Sequence, residues 1–253
     1  MLMIPIRDEN PNNETPYVTY ALLGLNALTW IFLQGAGSGS SLELSICEYG
    51  FTPQNFFDTG GSAVCPPSST SSTLSLFTSM FMHGGWMHLL GNMLFLWVFG
   101  DNVEDSMGHL RFLVFYLIGG VIAALSQGFA DPQSGIPMVG ASGAIGCVMG
   151  GYLMLYPRVK VTIAVFIFII FWTFRVPAYL MLGYWIGVQL LSGLTTSTAG
   201  GGVAFWAHFG GFVAGCVLVF IFRDKELLVN HKYYGWSDAR SEESVWDDPR
   251  NRQ

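Results

Sequence analysis

A few polar side chains lie in the apolar stretches of this 253-residue sequence, and their types suit hydrolytic chemistry. Ser142 stands in the stretch VGASGAIG, and His208 begins the stretch HFGGFVAG. A serine hydroxyl becomes an effective nucleophile when a neighbouring base accepts its proton, and a neutral histidine suits that task at about neutral pH. These residue types predict nucleophilic attack by Ser142, with His208 as the general base.

Two further polar residues, His88 and Asn92, are four positions apart and would share one face of a helix. Attack on a carbonyl group develops negative charge on its oxygen, which needs hydrogen-bond donors already directed toward it. The His88 ring, the Asn92 amide and the backbone N–H of Ser142 could supply these donors. Because the apolar stretches offer no carboxylate to orient His208, we predict a Ser/His dyad that uses no metal and no cofactor.

Small residues recur beside both members of this dyad. Ser142 is followed by glycines at i+4 and i+8, and His208 by glycines at i+3 and i+7, so each set forms a stripe on one helix face. Such stripes let membrane helices approach closely, which would bring Ser142 and His208 near hydrogen-bond distance. The alternative is that Ser142 serves only packing and that each histidine is a structural hydrogen-bond donor.

The composition indicates that these residues lie in a membrane protein. Hydrophobic residues make up 51% of the chain, charged residues 11%, and the mean hydropathy is +0.45. Ordinary soluble domains contain about a quarter charged residues. The first 16 residues lack the apolar core of a cleavable signal peptide, so we expect the first apolar run to be retained. We expect contact with the lipid bilayer and none with nucleic acid.

The apolar runs predict an all-α, polytopic fold with six membrane-spanning helices in a domain of residues 17–222. The predicted spans are residues 17–34, 76–99, 109–127, 142–156, 177–194 and 203–222. The fourth is short for a full crossing, which favours a central helix that begins below one membrane surface. The apolar segment 161–172 is too short for a comfortable span and is predicted to be buried or interfacial.

The positive charges predict the orientation of these spans. With six crossings, all 11 lysines and arginines fall in the N-terminal segment, the second and fourth loops and the C-terminal tail. The positive-inside rule then assigns residues 1–16 and 223–253 to the cytoplasm. The four candidate site residues consequently lie in the outer half of the membrane, and the site is expected to open outward.

Two cysteines, Cys47 and Cys65, lie in the first outer loop of this topology. A disulfide is chemically allowed there, but the two thiols could equally be unpaired, because spacing does not fix connectivity. The polar, charge-mixed C-terminal tail is predicted to be poorly ordered.

Three separated motifs resemble the rhomboid family of intramembrane serine proteases. They are HGGWMHLLGN at residues 83–92, GASG at 140–143 and AHFGGFVAG at 207–215. The resemblance extends over residues 75–222, and the motifs fall on the second, fourth and sixth predicted spans. It implies a rhomboid-like bundle of six helices with a short fourth helix.

The resemblance also implies roles for individual residues. Ser142 matches the nucleophile and His208 the general base of the family. His88 and Asn92 match residues that form the oxyanion hole together with the Ser142 amide, and His83 matches a supporting histidine.

The motif glycines Gly140, Gly143 and Gly211 are implied to support the site. In the family, the fifth helix and the loop after it, here residues 177–202, are thought to admit the substrate. The implied substrates are single-pass transmembrane proteins with a helix-breaking, small-residue cleavage region.

The sequence departs from the family pattern at two places. Many members have Trp-Arg shortly before the second helix, where this chain has Leu74 and Ser75. Some members have an aromatic ring one turn after the nucleophile, stacked on the catalytic histidine, but that position here is Gly146. The second departure leaves no predicted partner for the His208 ring.

The leading functional hypothesis is therefore an intramembrane serine endopeptidase in a prokaryotic plasma membrane. Its rival is a catalytically inactive rhomboid-like protein that binds and escorts transmembrane clients. The presence of both Ser142 and His208 favours the protease, since the loss of either would be the simplest mark of an inactive relative. The sequence makes no prediction of the oligomeric state.

Overall fold

The computed structural model describes residues 2–60, 64–66, 68–167, 170–195, 202–229 and 231–235. Its helices, in chain order, are α1 (Tyr17–Leu28), α2 (Gly39–Tyr49), α3 (Pro53–Phe57), α4 (Ser72–Thr78), α5 (Trp86–Met107), α6 (His109–Ala130), α7 (Ser142–Leu155), α8 (Ala178–Thr195), α9 (Phe205–Phe222) and α10 (Lys225–Val229). A π-helical turn, Thr29–Leu33, continues α1, and 3₁₀ turns lie at Gly35–Gly37 and Ser79–Phe81. The strands are β1 (Leu2–Asp8), β2 (Lys160–Ile167) and β3 (Ile170–Pro177).

The structure is mostly helical, as predicted, but it is not purely α: three strands form an antiparallel sheet in the order β1, β2, β3. The apolar segment 161–172, predicted to be buried or interfacial, lies largely in β2 and β3. This segment is rich in β-branched and aromatic residues, which favour a pleated strand over a helix. The N-terminal segment supplies β1, so the beginning of the chain pairs with the connection between α7 and α8.

The short helix α7 forms the centre of a mostly helical bundle. Eleven of its 14 residues are buried, and it contacts α5, α6 and α9. At about 1.5 Å per residue it is shorter than a hydrocarbon core of about 30 Å. Its abundance of glycine lets neighbouring backbones pack closely against it.

The second predicted span differs from the helix found there. Residues 76–99 were expected to be one helix, but α4 ends at Thr78 and α5 begins only at Trp86, after a break at Gly84 and Gly85. Because α5 continues to Met107, three acidic residues fall in its last two turns, namely Asp101, Glu104 and Asp105. These acidic residues lie beyond Phe99, the end of the predicted span, so the helix is longer than the apolar stretch that was predicted to cross the membrane.

The buried carboxylate of Glu104 links α5 to the first helix. It accepts hydrogen bonds from the backbone N–H groups of Val18 and Thr19, at 2.9 and 2.7 Å, and pairs with His109 Nδ1 at 2.6 Å. The first N–H groups of a helix lack intrahelical acceptors, and the helix dipole favours negative charge there. Glu104 thus caps α1, whose Pro16 N-cap offers no side-chain acceptor.

A disulfide joins Cys47 and Cys65, with the two Cα atoms 5.4 Å apart. Of the two possibilities that the sequence left open, paired or unpaired thiols, the structure has the pair. The bridge ties the end of α2 to the segment before α4. Beside it, Glu48 accepts a hydrogen bond from the hydroxyl of Ser69 and another from the N–H of Thr70 at 3.0 Å. The Ser69 hydrogen bond is the main cause of a pKa of Glu48 below its usual value.

Leu74 and Ser75, at the place of the family's Trp-Arg pair, lie within α4. The chain between α2 and α3 is held to the loop before α7 by a two-residue backbone bridge. In this bridge the N–H of Phe51 donates to Met138 O at 2.9 Å, and the N–H of Met138 donates to Phe51 O at 2.8 Å. The disulfide and this bridge anchor the first loop.

Three of the described helices, α6, α8 and α9, are long and apolar enough to cross a membrane by length and composition. Tyr17–Leu33 and α7 are shorter apolar helices. The count of six crossings stays a prediction. The predicted poorly ordered tail lies outside the described residues from 236 onward, as do residues 196–201 of the predicted substrate-admitting loop.

Candidate active site

Ser142 is the first residue of α7, and the backbone before it is held in a fixed conformation. The N–H of Gly140 donates to Ser79 O at 2.9 Å, and Gly140 has a φ of +125°, which L side chains rarely adopt. A Cβ atom on Gly140 would lie 2.6 Å from His88 Nε2. Glycine is therefore required at this turn, which brings the start of α7 against the start of α5.

The Ser142 Oγ atom lies 2.7 Å from His208 Nε2, so the structure brings the predicted nucleophile and base together. The glycine stripes of α7 and α9 explain the short distance. A Cβ atom on Gly150 would collide with the carbonyl of Phe212, and one on Gly211 with the carbonyl of Gly143. The two backbones touch along these stripes, so the side chains of Ser142 and His208, at the beginning of the two stripes, meet.

The supporting glycine Gly143 also faces α6, where an added Cβ atom would lie 2.6 Å from that of Ala123. Gly146, at the position of the family's stacked aromatic, faces α9, where a Cβ atom would lie 3.1 Å from His208 O. An aromatic side chain does not fit at Gly146 without separating α7 from α9.

The predicted oxyanion-hole residues His88 and Asn92 lie in the first two turns of α5 and face Gly140. His88 Nδ1 accepts a hydrogen bond from the N–H of Gly84 at 3.2 Å, which assigns the ring proton to Nε2 on the side of Gly140. The Asn92 Nδ2 atom is buried and has no hydrogen-bond partner within the described residues. Both groups thus present donors beside Ser142 for an oxygen that develops negative charge.

His83 lies behind His88 and does not touch the dyad. It is fully buried, and its ring centroid lies 5.2 Å from that of His88. Its backbone is held by Gln34, whose Oε1 accepts from the His83 N–H at 2.8 Å and whose Nε2 donates to the His83 carbonyl at 2.9 Å. Gln34, which the sequence reasoning missed, fixes the turn that precedes the predicted oxyanion-hole residues His88 and Asn92.

The His208 ring has two partners on α8 that the sequence reasoning also missed. Gln189 Oε1 lies 2.7 Å from His208 Nδ1, and the Trp185 ring centroid lies 5.7 Å from that of His208 at an interplanar angle of 37°. A glutamine in an otherwise apolar span was the available signal, with an aromatic one turn before it. The sequence alone does not show that Gln189 and Trp185 contact His208, because this depends on how α8 packs on α9.

A cavity of about 730 Å³ connects these groups, and its lining includes Ser142, His208, His88, Asn92 and Trp185. That volume lies in the range of a site that encloses a small ligand or a short peptide segment. Within the described residues, no group of three or more histidine, cysteine, aspartate or glutamate side chains is arranged to hold a metal ion.

A family comparison covers most of the part of the chain that builds this cavity. A family model described as the Rhomboid domain matches residues 70–225, which include Ser142, His208, His88, Asn92, Trp185 and Gln189 but not Gln34. The chain belongs to the rhomboid family. The membership accounts for the order of the three motifs along the chain and for the apolar helices, so this rhomboid is an integral membrane protein.

Curated rhomboid relatives are found in plants and bacteria. RHOMBOID-like protein 4 of Arabidopsis thaliana is 33% identical over 170 residues, which are 66% of this chain and 36% of that protein. RHOMBOID-like protein 5 of the same plant is 31% identical over 163 residues, 62% of this chain and 47% of the relative. Rhomboid protease GluP of Bacillus subtilis is 30% identical over 137 residues, which are 54% of this chain and 24% of that protein. The chain spans less than half the length of these relatives.

Gly146 lacks the aromatic ring that some rhomboids have at this position, and another helix supplies a ring in its place. Trp185 of α8 supplies an aromatic ring against His208, and its ring also lies 6.2 Å from that of Phe212. This rhomboid therefore supports its histidine from α8 instead of from the helix of the nucleophile.

Proposed function

We propose that this chain is an intramembrane serine endopeptidase that cleaves transmembrane segments through the Ser142/His208 dyad. The observation that carries the proposal is the 2.7 Å separation of Ser142 Oγ and His208 Nε2 inside the cavity. The name of one relative, Rhomboid protease GluP, supports the same activity.

The reaction begins when Ser142 Oγ attacks the carbonyl carbon of the scissile peptide bond and His208 Nε2 accepts the hydroxyl proton. The developing oxyanion is stabilised by the His88 Nε2–H, the Asn92 amide and the Ser142 N–H, which is free of intrahelical partners at the start of α7. His208 then gives its proton to the leaving amine, and an acyl ester remains on Ser142. Water attacks this ester with His208 again as base, which releases the acid and restores the serine.

Substrates of this activity are single-pass transmembrane proteins that enter from the bilayer beside α8. In the most apolar 18-residue stretch of each helix, 17% of α8 is buried, compared with 44% of α6 and 28% of α9. A helix that is packed mainly on one neighbour can move aside at lower cost than one enclosed by several. The location of Trp185 and Gln189 on this helix brings an entering segment next to the base.

The proposal includes six crossings, cytoplasmic termini and a site that opens to the outer side of a prokaryotic plasma membrane. The positive charges of the chain support this orientation. The disulfide Cys47–Cys65 is consistent with it, because the first loop then faces an oxidising compartment.

The purified protein in liposomes is expected to cleave a generic transmembrane substrate. Ser142→Ala and His208→Ala should each reduce cleavage to background, because loss of either member of such a dyad removes nearly the whole effect of the pair. Ser126→Ala is the matched control, since that hydroxyl lies in α6 and donates to Ile122 O at 2.8 Å. Unfolding midpoints should be alike in all variants.

Wild-type cleavage by the Ser142→Ala variant would refute the protease proposal. Absence of cleavage by the wild-type protein, together with retained binding of transmembrane segments, would favour the client-binding rival.

A further inference from the structure

The side of the His208 ring that faces away from Ser142 contacts a single amide. Gln189 Oε1 lies 2.7 Å from His208 Nδ1, while Nε2 of the same ring lies 2.7 Å from Ser142 Oγ. A carbonyl oxygen only accepts hydrogen bonds, so the ring hydrogen is on Nδ1. Nε2 then carries the lone pair that accepts the Ser142 proton.

Gln189 is held in this position by the packing of α8 on α9. Trp185, Gln189 and Gly193 recur at i, i+4 and i+8 and form one stripe on α8. Trp185 lies against the rings of His208 and Phe212. At the other end of the stripe, a Cβ atom on Gly193 would lie 3.3 Å from Phe205 Cβ and from the Trp206 ring.

We propose that Gln189 is the positioning residue of the dyad, which sets the tautomer and the orientation of His208 so that Nε2 faces Ser142. The inference rests on the proposed function and deepens it, since it adds a third member, on a third helix, to the Ser142/His208 pair. Without an acceptor at Nδ1, the imidazole exchanges its hydrogen between the two nitrogens. In the other tautomer, Nε2 carries hydrogen and does not accept the serine proton.

The use of an amide instead of a carboxylate follows from the location of the group. A carboxylate on a membrane helix must be desolvated, which costs several kcal/mol unless it is paired. A neutral amide oxygen accepts the same hydrogen bond without a buried charge. Among the described residues, no carboxylate is hydrogen-bonded to His208, so Gln189 occupies the orienting position alone.

The tautomer of His208 is measured directly by ¹⁵N NMR of the full chain in micelles with labelled histidine. The chain has 5 histidines, and the signals missing from a His208→Ala spectrum assign the His208 ring. In the wild-type protein we expect hydrogen on Nδ1. In Gln189→Leu and in the unbranched Gln189→Met, we expect the Nε2–H form to become populated.

Turnover provides the second measurement. Both apolar variants should lose about 10²-fold in kcat, within the range that general base catalysis contributes, while KM changes less than about twofold. Gln189→Glu restores an acceptor and should recover both the Nδ1–H form and most of the lost kcat. Leu191→Ala is the control, because this α8 side chain is 63% exposed and should leave both measurements unchanged.

Retention of the Nδ1–H form and of wild-type kcat in Gln189→Leu and Gln189→Met would overturn the assignment. The tautomer measurement does not depend on turnover. A wild-type protein that fails to cleave therefore contradicts the proposed function, whereas an unchanged His208 tautomer contradicts the role of Gln189.

Discussion

At the scale of single residues, the site consists of donors and acceptors that are directed before any substrate arrives. The Asn92 Nδ2 group is buried without a partner in the described chain, although an unpaired buried donor costs about 1–3 kcal/mol. His88 Nε2 and Asn92 Nδ2 face the same turn at Gly140. An oxyanion in that space would satisfy the donor that the resting structure leaves unpaired.

Asn92→Ala is expected to lower kcat by about 10²–10³-fold, the typical effect of losing one oxyanion-hole donor. The unfolding midpoint should not fall much, because the Nδ2 group contributes no hydrogen bond within the described chain. Steady-state kinetics on the transmembrane substrate test the first expectation and thermal unfolding the second.

Asn26→Ala provides the comparison for this variant, because its amide donates to Leu22 O at 2.8 Å within α1 and lies outside the cavity. It should keep wild-type kcat. An Asn92→Ala enzyme with wild-type kcat would show that this amide takes no part in catalysis.

At the scale of elements, the sheet is fastened to the bundle by a pair at the end of α7. Asp8, the last residue of β1, lies 2.5 Å from the hydroxyl of Tyr152. Burial raises the pKa of Asp8 to about 7 from 3.8, although the Tyr152 hydrogen bond acts in the opposite direction. The native protein therefore keeps a proton on Asp8 that the unfolded chain loses at lower pH.

This difference in the pKa of Asp8 between the folded and unfolded states predicts that the free energy of unfolding falls as the pH rises from about 4 to about 7. Below the pKa of Asp8 in the unfolded chain, both states bind the proton and Asp8 contributes its full stabilisation. Above the pKa of Asp8 in the folded protein, that stabilisation is lost. A shift of this size corresponds to at most about 4 kcal/mol, at about 1.4 kcal/mol per pH unit. Unfolding midpoints in micelles at pH values across this range should show the loss in the wild-type protein.

Asp8→Asn should flatten that part of the pH dependence, because the amide cannot titrate. Asp58→Asn, an exposed side chain in the first loop, should keep the wild-type slope. Equal slopes for Asp8→Asn and the wild-type protein would assign the pH dependence to other groups.

At the scale of the whole molecule, the two ends of the bundle differ in character. One end has the disulfide loop and the start of α7. The other has the sheet, the end of α5 and the chain after α9. A backbone hydrogen bond from Asp224 N to Ser106 O at 2.9 Å joins the chain after α9 to α5, and one from Gly235 N to Leu155 O at 2.8 Å joins it to the end of α7. The positive charges of the connecting segments gather at this second end.

The proposed orientation, with cytoplasmic termini, rests on that asymmetry and on the positive-inside rule. A reporter fused after Gln253 should read as cytoplasmic, and the same reporter fused after Gly60 in the first loop should read as external. An external signal from the first fusion would contradict the assigned orientation.

Much of the site was predictable because its chemistry depends on residue type and on spacing along single helices. The sequence placed Ser142, His208, His88 and Asn92 at compatible depths, and the glycine spacing of α7 and α9 predicted their close approach. The sheet was missed because an apolar run of 12 residues fits a buried segment or a strand pair about equally well. The start of α5 was missed because hydropathy does not mark a break at two glycines.

By itself, the sequence determined the membrane environment, the family motifs and the residue types that could attack, accept a proton and bind an oxyanion. These are local properties, fixed by composition and by the period of a helix. Only the tertiary structure decided which group supports His208, because Gln189 and Trp185 reach it from α8 across an interface between helices. Contacts of that kind depend on how the helices pack, and helix periodicity alone specifies neither the rotation of α8 nor its depth against α9.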